Sequence, residues 1–111
     1  MGGGLPTSLW LESEMRRLQA NGSYLTLLSR GNSASGTVLV ILRNRMGEYR
    51  LFSQITDMDS GNRVWFPAFD GACVDSDKAD AYSRDALRFD PDLWVIEIET
   101  EADIPPLQDN Y

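Results

Sequence analysis

Five consecutive aliphatic residues, Val38-Leu39-Val40-Ile41-Leu42, constrain the fold more than any other stretch of the chain. Successive side chains of a strand alternate between its two faces. An unbroken apolar run therefore needs cover on both faces, or nearly so, and reads as a central strand. It is the longest apolar run present, far short of the roughly 20 residues that span a bilayer. A length of 111 residues suits a single domain over 1–111, with flexible ends expected at about 1–6 and 104–111.

The other elements are read outward from that strand, which extends over Thr37–Arg43. Leu11, Met15 and Leu18 recur at i, i+4 and i+7 with Trp10 beside them, predicting a first helix capped by Thr7 or Ser8 and ended at Asn21-Gly22. Glu12 with Arg16 and Glu14 with Arg17 have the spacing of a solvated face. Tyr24–Arg30 reads as a strand, and Asn44–Gly47 as the turn of a hairpin returning over Glu48–Gln54. Arg63–Phe66 is a short aromatic strand stopped by Pro67. A second helix over Ser76–Arg88, capped by Asp75 or Ser76, should bury Ala79, Tyr82, Ala86 and Phe89. Asp90-Pro91 then ends it, and Leu93–Glu99 turns Trp94, Ile96 and Ile98 to one face. The order α-β-β-β-β-α-β predicts an α+β fold: a mainly antiparallel sheet of about five strands with two helices on one face. Helices on both faces are the alternative. The tail Ile104–Tyr111, with two prolines, reads as irregular.

Composition removes several chemistries. There is no histidine and one cysteine, so a histidine base, a Ser-His-Asp triad, a Cys/His zinc site and an internal disulfide are excluded. Cys73 lies among acids, which gives no reason for its thiol to be activated. The N-terminus lacks the basic and apolar regions of a signal peptide, and Pro6 stands where a myristoylation motif wants Ser or Thr. A cytoplasmic location is the expectation.

The net charge of −7 is uneven. Residues 1–55 hold six Arg against three Glu, and residues 56–111 hold fourteen acids against four bases. The plain reading is mutual neutralisation between the halves, the sharper one an anion-facing Arg patch. Binding to duplex nucleic acid is disfavoured because the total field repels phosphate.

Three segments invite chemistry. Gly31-Asn32-Ser33-Ala34-Ser35-Gly36 has the glycine spacing of a phosphate loop, but Thr37 and Val38 stand where Lys and Ser/Thr are needed, and the segment opens a strand instead of a helix. A looser anion nest with Arg30 remains open. Asp57-Met58-Asp59-Ser60-Gly61-Asn62 departs from a calcium loop at its sixth and twelfth positions, Asn62 and Ala68, and reads as a turn. Arg88-Phe89-Asp90-Pro91-Asp92-Leu93-Trp94 flanks a rigid proline with two carboxylates. These suit turn chemistry first, and then a binding role or acid/base work. Trp10, Trp65 and Trp94 read as core anchors.

The stretch from Tyr82 through Arg88-Phe89-Asp90-Pro91-Asp92-Leu93-Trp94 to Glu99 resembles the C-terminal signature of an uncharacterised alphaproteobacterial family, domain of unknown function family 1491. Arg16-Arg17-Leu18, and Ser29-Arg30-Gly31 followed by Gly36 and an apolar strand, are similar too. The likeness covers about residues 7 to 100, with Asn32 standing where an acid is expected. It implies a bacterial cytoplasmic protein of this size and brings no activity, catalytic residue or cofactor.

Arg and Asp are left as the plausible functional chemistry. The leading expectation is a non-enzymatic accessory or protein-interaction domain acting on a protein partner or as a homodimer, with no cofactor, metal or membrane. The alternatives are a small-anion or nucleotide-like site using Arg17, Arg30 and Arg88 with Gly31 and Gly36, and an enzyme using Asp90 and Asp92 beside Trp94.

Overall fold

The computed structural model describes residues 5–33, 36–56, 59–60 and 63–108. The elements run in the expected order: α1 (Thr7–Ala20), β1 (Tyr24–Ser29), β2 (Val38–Arg43), β3 (Tyr49–Thr56), β4 (Arg63–Pro67), α2 (Ser76–Phe89) and β5 (Trp94–Glu99). A short 3₁₀ turn, Ala68–Gly71, precedes α2. The five strands form one sheet in the order β1-β5-β2-β3-β4. Every neighbouring pair is antiparallel except β2 with β5. That pair is parallel because β5 returns after α2 and inserts between β1 and β2 instead of adding to an edge. The fold is α+β with a mainly antiparallel sheet, as predicted.

The helices lie on opposite faces, which corrects the expectation of one face. Trp10, Leu11 and Leu18 of α1 pack against Val38, Val40 and Leu42 of β2 and against Trp94, Ile96 and Ile98 of β5. On the other face Ala79, Tyr82 and Ala86 of α2 meet Leu39, Ile41, Leu51 and Val95. The apolar run in β2 is the cause. All five of its aliphatic residues are buried, and they divide between the two faces. Full burial of such a side chain contributes about 1.5–3 kcal/mol, so one helix layer would leave half of that gain in water.

Local signals mostly act as read. Gly22 takes φ +83 and closes α1, with the Ser23 amide donating to Leu18. Asp75 caps α2 by accepting from the Lys78 amide at 2.9 Å. The start of α1 differs. Its cap is Pro6 with no side-chain bond, Thr7 is already helical and donates its hydroxyl to the Gly36 carbonyl, and the Ser8 amide donates to Ser33. Neighbouring loop, not a local hydroxyl, satisfies the helix end. Phe89 also departs from expectation, being 94% exposed. It stands ten residues after Ala79, about 80° round the helix from it, in the last position before Asp90-Pro91 turns the chain away. The Asp57–Asn62 turn lies outside the described residues except for Asp59 and Ser60, which form a turn.

Glu14 corrects the solvated-face reading. It is 3% exposed, accepts two hydrogen bonds from Arg17, and also accepts from the Gln108 amide. Arg17 bonds the Pro106 carbonyl and the Trp10 indole N–H bonds the Gln108 carbonyl. The tail is irregular, as expected, but over Pro106–Gln108 it is tied along one flank of α1. The bond to Glu14 raises the Arg17 pKa against the opposing effect of burial. Glu14→Gln removes the charge from this knot and should cost about 1–3 kcal/mol. It should also speed proteolytic cleavage after the tail is loosened; unchanged denaturation and unchanged cleavage would contradict the tie.

Candidate functional site

Among the described residues the opposite flank of α1 is uncovered. There a groove of about 290 Å³ opens between α1 and the sheet. Leu25 and Leu27 of β1 and Ile96 of β5 form its floor, and Leu11 and Met15 of α1 form its wall. Alternation explains the floor: Leu25 pairs with Ile98 and Leu27 with Ile96, so both leucines face α1. The rim carries Ser8, Glu12 and Arg30. This volume is just below the roughly 300–1,000 Å³ of small-molecule sites, which suits a few side chains or one small apolar group.

Arg30 lies where β1 ends, its guanidinium carbon 5.2 Å from the centre of the Trp94 ring. Stacking on an indole fixes a guanidinium while leaving its N–H donors available. Among the described residues Arg30 makes no ion pair. The platform beneath it is rigid: Trp94 is 2% exposed and its indole N–H donates to the Asn32 carbonyl at 2.7 Å.

The glycine spacing that resembles a phosphate loop has a packing cause. A Cβ on Gly36 would lie 2.5 Å from the Asp92 carbonyl oxygen and 2.8 Å from Trp94, and one on Gly31 would meet the same two groups. The Asn32 amide donates to the Asp92 carbonyl and the Gly36 amide to the Asn32 carbonyl. Those two amides are therefore already bonded within the fold, while Ala34 and Ser35 lie outside the described residues. Asp90 accepts from the Asp92 amide and from the Thr37 hydroxyl, which is turn chemistry. Asp92 is exposed and contributes its carbonyl to the Gly31–Gly36 crossing.

The residues singled out from sequence thus divide. Arg30, Gly31, Gly36, Asp92 and Trp94 come together at one end of the groove, with Asp90 in the adjoining turn. Arg17 does not join them: it is nine residues from Ser8, about 13 Å along α1, on the flank that holds the tail. Arg88 is on α2, exposed, and pairs with Asp85 at 3.2 Å. Sequence reasoning missed Leu25, Leu27 and Met15 as groove residues. The available signal was Leu25-Thr26-Leu27-Leu28, apolar on both parities in a strand that proves to lie at the sheet edge.

The uneven charges meet at the far end of β5. A polar cleft of about 280 Å³ there is lined by Arg43, Arg45, Glu99 and Glu101 among others. The Arg45 amide donates to Glu101 at 2.7 Å, and Arg50 pairs with Asp103 at 3.1 Å. Burial raises the Glu97 pKa, Arg43 opposes the rise, and Glu99 and Asp80 add to it. Among the described residues no helix is long and apolar enough to cross a membrane.

The family profile described as a protein of unknown function, DUF1491, matches residues 5–108. A crystal structure of a DUF1491 family protein from Caulobacter crescentus is 34% identical, with 96% of this chain and 97% of that one covered and a TM-score of 0.81. An NMR structure of a DUF1491 family protein from the same organism gives 34% identity, 98% and 97% coverage and a TM-score of 0.81. A solution structure of an A. tumefaciens protein is 25% identical over 90% of this chain and 89% of that one, with a TM-score of 0.73. No curated protein matches the chain. With nearly its whole length matched and its fold shared from end to end, the chain belongs to the DUF1491 family of proteins of unknown function.

Proposed function

We propose that this chain is a non-enzymatic protein-interaction domain of the bacterial cytoplasm, whose partner engages the α1–β1 groove and the open edge of β1. One observation carries the reading: an uncharged edge strand borders an unfilled apolar groove. Among the described residues β1 pairs with β5 alone, and it runs from Tyr24 to Ser29 without a charged residue. Tyr24 is 58% and Leu28 52% exposed. Edge strands are usually protected from pairing by charges, proline, bulges or cover; β1 has a bulge at Leu28 but no charge or proline, and an uncharged edge is suited to receive another chain. The lone thiol Cys73 supports a reducing compartment.

A native pull-down tests this with two baits. The wild-type chain should retain one protein in stoichiometric amount, a second copy of itself included, and Leu28→Lys should lose it, because the added charge sits at the exposed edge. Nothing above background for the wild type, or equal capture by both baits, would overturn the proposal.

A second reading is favoured by the absence of an ion pair at Arg30 among the described residues: a small-anion site at that guanidinium. It predicts thermal stabilisation by millimolar phosphate or carboxylates, lost in Arg30→Gln.

A further inference from the structure

We infer that the occupant of the α1–β1 groove is an extended peptide that adds to the edge of β1, places alternate apolar side chains in the groove and sets an acidic group on Arg30. The inference rests on the interaction reading above and names the chemistry of the partner.

Three observations combine. First, the chain already seats an extended segment of its own on α1: the tail lies along the Trp10–Glu14–Arg17 flank, held by bonds to the Pro106 and Gln108 main chain. The flank bearing Ser8, Glu12 and Met15 has the same kind of wall and, among the described residues, nothing on it. Second, the groove borders a strand edge that no other described strand pairs with. A peptide pairing with β1 turns every second side chain towards the face of Leu25 and Leu27, and the volume of about 290 Å³ accepts a small number of them. Third, the groove is electrostatically polar along its length. Arg30, stacked on Trp94 and without an ion pair among the described residues, stands by the Ser8 end. Glu12 is one helical turn further along, about 6 Å. An acid at the peptide's C-terminal end is therefore attracted at Arg30, where β1 ends, and repelled at Glu12, which selects a peptide running parallel to β1.

The test uses fluorescence polarisation with the full chain and three labelled seven-residue peptides, all amidated at the C-terminus and alternating Val with Thr. One ends in Asp, one in Asn and one in Lys. The Asp peptide should bind at least about ten-fold tighter than the Asn peptide, as a charge-assisted bond to guanidinium requires, and the Lys peptide should bind weakest. Arg30→Gln should erase the difference between Asp and Asn. Leu28→Lys should weaken all three. Equal binding of the Asp and Asn peptides overturns the acidic specificity while leaving the interaction reading in place. No binding of any peptide overturns the extended-peptide inference altogether, and the pull-down comparison then decides the interaction reading separately.

Discussion

Trp94→Ala is expected to lower stability by about 3–5 kcal/mol, read as a fall in the denaturant midpoint at constant m-value. Domains of this kind hold about 5–15 kcal/mol in total, so this one change removes a large share. Trp94 is among the largest fully buried side chains and joins α1 to the sheet through Trp10, Leu11 and Val38. It also holds the Asn32 carbonyl through its indole N–H. Trp94→Phe separates the two roles. It keeps most of the packing but removes one of the two donors to the Asn32 carbonyl, the Gly36 amide remaining, and should cost about 0.5–1.5 kcal/mol. A loss below about 1 kcal/mol for the alanine variant would contradict the central place given to this ring.

Gly31→Ala and Gly36→Ala should each cost about 3 kcal/mol, at the upper end of overpacking effects. Adding one methyl group normally changes little, but here the new carbon meets the Asp92 carbonyl and the Trp94 ring. The carbonyl is backbone, fixed by the Asn32 amide bond, and the ring is buried, so neither yields cheaply. Gly22→Ala provides the comparison. No atom lies within 4 Å of its added carbon, and only its positive φ opposes the change, which costs about 1 kcal/mol. Equal effects at Gly22 and Gly36, measured by chemical denaturation, would show that backbone freedom and not close approach explains the spacing.

The element order was legible because each element carries a local cause: a periodic stripe, an alternating strand, Gly22 past a helix, Asp75 before one, Pro91 after one. The layering was implied by Val38–Leu42, whose two apolar parities need two covers, even though hairpin logic pointed to one helix layer. Glu14 was illegible because its spacing to Arg17 is that of any surface pair. What buries it is the tail, ninety-four residues away at Gln108. Phe89 fits a helical stripe by count and fails by position, since the helix ends there. At the candidate site, Arg30 and Trp94 were both singled out, but their stacking depends on β5 inserting beside β1. That long-range pairing leaves no local pattern, and neither does the edge position that makes Leu27 and Leu28 accessible.

Backbone amide hydrogen exchange on the chain with saturating Asp-ended peptide decides whether the α1–β1 groove and its strand edge form the interaction surface. New protection is expected only in the β1 segment Leu25–Arg30 and on the Ser8–Met15 flank of α1, with β4 and the polar cleft around Arg43 and Glu101 unchanged. Protection centred on β4 or on that cleft, with β1 unaltered, would contradict it.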